Sequence, residues 1–213
     1  PQQIYEMVSK IIEKDVPLAG DHDTRTLRNI PRVLGIMSGS PDISLNSMAR
    51  DIDGLSTTSV RALLDTLERT GLIFEVKKTG GTSNTLRSDT RKYFISSSIT
   101  SAIQSSMGND PRSAMGAIIE TAAVSTIKRN LSENPAMNIK YMKGSGMADL
   151  ILEYGDKNIS VEIGSGKKVK GPRQLKKTIA KSGSDYGILV SSREEVEVAE
   201  NILTIPIREF LSL

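Results

Sequence analysis

Between Gly146 and Lys168 the chain reads GMADLILEYGDKNISVEIGSGKK. Two apolar runs, MADLILEY and NISVEI, are joined there by a short polar turn, Gly155 to Lys157. Apolar runs on either side of so tight a turn pair as strands. Asp149 stands near the start of the first run and Glu162 at the end of the second. Pairing therefore carries two carboxylates to one edge of a sheet. That edge is the chain's first candidate site.

The 213 residues suffice for one large domain or two small ones. Aromatic residues are 4% and Trp is absent, which argues against the stacking platforms that hold single strands. Without Cys there are no disulfides or thiolate metal sites, and one His cannot assemble the common zinc sites. That residue, His22, lies in the polar stretch AGDHDTRT and reads as a solvent-facing loop residue. No nucleophile elbow accompanies it, so a Ser-His-Asp triad is not supported. No apolar run is long enough to span a membrane, and the start, PQQIYEMVSK, lacks a signal-peptide pattern. A cytoplasmic location without a membrane partner is expected. The first residue is Pro, so the chain reads as a fragment or a processed product, with sequence expected upstream.

Hydrophobic spacing divides the chain at about residues 26 and 110. Gln2 to Lys14 is an amphipathic helix ended by Pro17 and Gly20, followed by a polar linker to about Thr26. From Leu27 come a helix with Ile30, Val33, Leu34 and Met37, a second after Ser44 and a third after Ser56 or Thr57. LIFEVKK and RKYFISS then read as two strands around the polar loop TGGTSNTLRSDT, and Ile99 to Met107 as a closing helix. Three helices and a two-stranded ribbon are the order of a winged helix. From residue 111 the pattern is a helix over Ala114 to Leu131 and the strands NIKYMK, MADLILEY and NISVEI. A basic helix Arg173 to Lys181 follows the stop at Gly171 and Pro172, then the strand YGILVSS. A polar helix from about Arg193 to Glu200, the strand ILTIPI and a terminal helical turn complete the chain. The expected class is α+β or mixed α/β, a winged-helix domain followed by a restriction-endonuclease-like αβββαβ domain. The domains are 1–26, 27–110 and 111–213.

Phosphodiester cleavage uses a hard cation to polarise the phosphate, and Mg²⁺ takes a few carboxylates with several waters. Asp149 and Glu162 are the candidate metal and catalytic residues, with Glu120 as a third acid. The restriction-endonuclease pattern is Asp, a spacer, then Glu-x-Lys, the lysine stabilising charge at the scissile phosphate. Gly164 stands in the lysine's place, which leaves Lys167 or Lys168 to reach in from the next turn. Two outcomes remain open: an active site with a displaced lysine, or a fold that no longer cuts.

From Ile163 to Ser184 there is no acidic residue, but seven basic ones: Lys167, Lys168, Lys170, Arg173, Lys176, Lys177 and Lys181. Such a patch suits a phosphate backbone or is simply a solvated helix face. In the winged helix, Thr57, Thr58, Ser59 and Arg61 occupy the exposed start of the recognition helix. Lys77, Lys78, Arg87, Arg91 and Lys92 flank the wing as candidate phosphate contacts. Asp65 and Glu68 temper the basic character of that helix, so DNA contact and protein packing both remain open. GSGKK lacks the first Gly and the Ser/Thr of a P-loop, and Ser165-x-x-Lys168 lacks the partners of a Ser-Lys site.

The order of parts resembles the C-terminal half of a prokaryotic family of AAA-type P-loop ATPases of poorly defined function. There an ATPase module precedes a lid helix, a winged helix and a restriction-endonuclease-like domain of unknown function. IIEKDVPL is similar to the end of the lid, LDTLERTGLIFEVKK to the recognition helix and first wing strand, and RKYFISSSI to the second. MGAIIETAAVSTIKRNL resembles the helix that opens the last domain, with Glu120 at its acidic position. GMADLILEYGDKNISVEIGSGKK resembles the Asp and Glu-x-Lys region, and YGILVS and ILTIPIREFL the last strands. The resemblance implies DNA and an upstream ATPase module as partners, Mg²⁺ as cofactor, ATP only in that module, and a homo-oligomer as one arrangement. It implies a DNA-binding or regulatory role first, an active Mg²⁺-dependent nuclease second, and an interaction platform for the ATPase third.

Overall fold

The computed structural model describes residues 1–80, 90–131, 134, 136–164 and 170–212, with the backbone alone for 170 and 171. These form two compact units, 1–75 with 90–121, and 76–80 with the described part of 122–212.

In the first unit, α1 (Gln2–Lys10) runs through a π-helical turn (Ile11–Asp15) into α2 (Val16–Ala19). Pro17 was expected to end this helix. It instead follows closely on the π-helical turn inside a continuous helical run, and Gly20 ends the helix in an extended conformation. The apolar face expected from Leu27 onward is split between α3 (Thr24–Arg28) and α4 (Ile30–Gly39). Pro31 explains the break, because its ring fits only a first helical turn. α5 (Leu45–Asp51) and α6 (Thr57–Arg69) start at the expected serines. Ser44 Oγ accepts from the Ser47 N–H at 3.1 Å, and Ser56 Oγ from the Ser59 N–H at 3.0 Å, each satisfying an otherwise orphaned donor. Val60, Leu63, Leu64 and Leu67 bury the inner stripe of α6. β1 (Ile73–Lys78) and β2 (Thr90–Phe94) are neighbours, and α7 (Ser97–Ser106) follows β2. Phe74 and Tyr93 stack at 5.7 Å between ring centroids. One hydrophobic core, including Val8, Ile30, Met48, Leu63, Phe94 and Ile99, joins these elements.

A 3-10 turn (Pro111–Ala114) leads into α8 (Met115–Leu131), whose second half enters the second unit. There follow β3 (Met137–Tyr141), β4 (Leu150–Tyr154), β5 (Lys157–Ile163), α9 (Lys170–Ser182), β6 (Tyr186–Ser191), β7 (Glu197–Ala199), β8 (Ile202–Pro206) and α10 (Ile207–Phe210). The sheet of this unit runs β1-β3-β4-β5-β6-β8-β7. β3, β4 and β5 are antiparallel; β5, β6 and β8 are parallel; β7 returns antiparallel on β8. The chain is thus a mixed α/β protein. Two expectations change here. Pro172 sits in the first turn of α9 rather than before it, a position its fixed φ suits. The polar segment expected as a helix from Arg193 to Glu200 instead holds edge strand β7, because Val196 and Val198 offer no helical apolar stripe and backbone pairing to β8 is available.

α9 lies against β5 and β6 through Leu175 and Ile179, which pack with Ala148, Leu189 and Ile202. Gly187 permits this approach. A Cβ there would stand 2.8 Å from Ile179 Cδ1 and 3.1 Å from Leu175 Cδ2.

Candidate functional site

The β4–β5 register runs from Tyr154↔Lys157 to Leu150↔Val161, and one further step sets Asp149 across from Glu162. Cross-strand partners share a face of the sheet. β5 pairs with β6 as Ser160↔Gly187 and Glu162↔Leu189. Gly187 faces Leu175 and Ile179 of α9, so alternation along the strands puts Ser160 and Glu162 on the α9 face as well. Asp149 joins them there through its register with Glu162.

Both carboxylates are tied in place. Asp149 Oδ2 accepts from the Ile163 N–H at 2.8 Å, and Glu162 Oε1 accepts from Gln174 Nε2 at 2.9 Å. Glu162 is only 6% exposed, and Asp149 is half-buried. Bonds to an ionised acceptor are among the stronger ones, which is how a buried acid is tolerated at a strand end.

α9 contributes one stripe to this site, Gln174, Lys177 and Thr178, at i, i+3 and i+4. Thr178 Oγ1 donates to the Gln174 carbonyl at 2.9 Å and accepts from the Ala148 N–H at 2.6 Å. Lys177 Nζ donates to the Ser145 carbonyl at 2.9 Å. The helix therefore holds both the segment that leads into Asp149 and the side chain of Glu162. Arg173, Lys176, Lys177 and Lys181 are exposed along it. Lys170 opens α9 with its backbone alone described, and Lys167 and Lys168 lie outside the described residues. Gly164 extends the strand: its N–H donates to the Val190 carbonyl at 2.8 Å.

Two carboxylates on one face form an all-oxygen donor set of the kind Mg²⁺ takes. Among the described residues no group of three or more His, Cys, Asp or Glu side chains is placed to hold a metal. Glu120 belongs to the first unit, where Tyr93 Oη donates to its Oε1 at 2.7 Å and Arg91 Nη1 stands 3.7 Å away.

Several expected phosphate contacts sit differently. The Arg91 side chain is 13% exposed and lies between Glu120 and Asp42, each at 3.7 Å, so its charge is met inside the unit. Lys92 is 2% exposed, and its ammonium donates to Thr90 O and Thr90 Oγ1, each at 2.9 Å. Its carbon stem is buried with the neighbouring strand residues, which removes it from solvent. Lys77 is exposed and Lys78 half-buried. Arg87 lies outside the described residues. Thr57, Thr58 and Arg61 line a cavity of about 320 Å³ with Ser44, Leu45 and Asn46, and Ser59 is half-exposed beside them. His22 was expected to face solvent. It is half-buried, its Nε2 lying 2.9 Å from the hydroxyl of fully buried Thr66.

Gln174 and Thr178 are the site residues that the sequence did not single out. Their only signal was a pair of uncharged polar side chains, four apart, on the inward stripe of a lysine-rich helix.

No protein-family model matches the chain. It is 28% identical over 218 residues to an uncharacterized protein of Methanocaldococcus jannaschii, covering 99% of this chain and 44% of that protein. The chain thus spans less than half the length of the curated relative it matches. A crystal structure of a protein from Vibrio cholerae aligns over 99% of this chain and 53% of its own, at 15% identity and a TM-score of 0.34. That likeness is too slight to transfer a fold or a role. No helix among the described residues is long and apolar enough to cross a membrane.

Proposed function

We propose that this chain is a DNA-holding, regulatory part of a longer AAA-type ATPase, with a winged helix in its first unit and a restriction-endonuclease-like domain in its second. The observation that carries this reading is the acid pair Asp149 and Glu162 under a helix whose exposed side bears Arg173, Lys176, Lys177 and Lys181. A phosphate backbone lies along the cations, and its approach to the acids is governed by what neutralises them. In the first unit the capped start of α6, with Thr57, Thr58, Ser59 and Arg61, is the complementary duplex contact. The chain spans 44% of the relative from M. jannaschii, so a further module outside the matched stretch fits that protein's length.

The second reading is an active nuclease, favoured by the way Gln174 holds buried Glu162 opposite Asp149. These two carboxylates are the residues that would hold Mg²⁺, which supplies Lewis acidity at a phosphate and acidifies bound water. Gln174 orients Glu162, and the Ile163 N–H orients Asp149. What β5 lacks is a cation at Gly164.

The test is binding and cleavage of plasmid and short duplex DNA with Mg²⁺, Mn²⁺ or EDTA over a salt series. Binding that weakens steeply with salt and leaves the DNA intact supports the holding role. Metal-dependent cleavage lost in Asp149→Ala moves the function to a nuclease. Silence in both assays sinks both and leaves a protein-interaction platform for the ATPase.

A further inference from the structure

Gly164 brings no charge to the end of β5 beside Glu162, and α9 carries a lysine one turn from the residue that holds this acid. Gln174 touches Glu162, and one turn further along the same stripe Lys177 holds its ammonium on the Ser145 carbonyl. That contact lies four residues before Asp149. Gly146, at φ +67°, leaves the backbone bare beneath this ammonium, with Nζ 3.7 Å from where a side chain would begin. A left-handed residue there favours glycine, so the space is kept open. Lys177 is exposed, and the partner it holds is a neutral carbonyl that takes one of three N–H donors. Lys140, Lys157, Arg193 and Arg208 of the same unit each pair with a carboxylate instead. Lys177 therefore keeps its charge and its remaining donors toward solvent, one helical turn from Gln174, the residue that holds Glu162. Lys176, its neighbour, emerges about 100° further round.

We propose that Lys177 is the cation that meets a nucleic-acid phosphate at the Asp149–Glu162 pair, in the place that a strand lysine at position 164 would fill. This rests on the polyanion reading above. It also explains why Gly164 is compatible with a working site: charge arrives from the helix, across the face, rather than along the strand.

Binding of a labelled short duplex, followed by fluorescence anisotropy in EDTA over a salt series, tests the assignment without any metal. Lys177→Ala is expected to weaken binding about tenfold at low salt and to lower the slope of log K on log salt by about 0.9. Adding Gly164→Lys restores both in the Lys177→Ala background and does not restore Lys176→Ala. Lys177→Gln removes the charge but keeps a donor for Ser145, so it replaces Lys177→Ala if that variant melts early. Lys177 variants that bind as the unmodified chain does, or a Gly164→Lys rescue that is equal in both backgrounds, overturn the assignment and leave DNA holding intact. An unmodified chain that binds no duplex at the lowest salt removes the DNA reading and this assignment together.

Discussion

Gln174 donates to Glu162 across 2.9 Å, so a helix side chain sets the orientation of a strand carboxylate that is 6% exposed. Gln174→Ala is expected to destabilise the chain by about 1–3 kcal/mol, the cost of leaving a buried polar group without its partner. Urea denaturation measures it. A variant as stable as the parent would show that this bond does not hold the carboxylate.

Gly164→Lys is expected to fold normally. A Cβ at Gly164 has the Val190 carbonyl 3.7 Å away, an ordinary contact, and the ladder bond from its N–H is kept. The stability change should stay within about 0.5 kcal/mol. Under the nuclease reading, the same variant gains or raises Mg²⁺-dependent plasmid nicking, and Asp149→Ala in that background abolishes it. Intact plasmid in every combination would count against a competent acid pair.

Lys92 and Arg173 should separate cleanly. Lys92→Ala removes a buried stem and its bonds to Thr90, and is expected to cost about 1–3 kcal/mol while leaving the salt slope of DNA binding unchanged. Arg173→Ala, on an exposed position, should leave the melt unchanged and lower that slope by about 0.9. Reversal of the two effects would contradict the burial of Lys92.

A pH effect follows from Asp185. Its carboxyl is held below its ordinary value by the Asn158 backbone N–H first and by Lys157 next. A depressed carboxylate stabilises the fold above its unfolded pKa, and that contribution fades as pH falls through the folded value. Asp185→Asn should therefore be less stable than the parent at pH 6, with the difference narrowing as pH falls below the ordinary aspartate range. Lys157, raised mainly by its hydrogen bond to Asp185, works in the opposite window: its contribution is full below its unfolded pKa and is lost in strong alkali. Paired thermal melts across pH would show a constant gap if Asp185 were unperturbed.

The caps at Ser44 and Ser56, the inner stripe of α6 and the strands around Asp149 and Glu162 were all legible, because each depends on local spacing and local polar chemistry. Lys92 was not. A lysine in a strand reads as solvated until a neighbour such as Thr90 supplies acceptors, and that supply depends on how β2 is buried. Val196 and Val198 misled for a related reason: a polar run with two valines two apart becomes a strand only when β8 offers it an edge. In the site, the acids were readable from their positions in the runs. Gln174 and Thr178 were not, since their roles come from the docking of α9 over Gly187.

Thr66 spends its single hydroxyl proton on the Ala62 carbonyl and accepts from Arg69, so the bond to His22 requires the imidazole to donate from Nε2. The chain has one histidine. Its ring resonances in an NMR spectrum therefore belong to one residue, and the tautomer they report reveals, without any label, whether the turn after α2 is seated on α6.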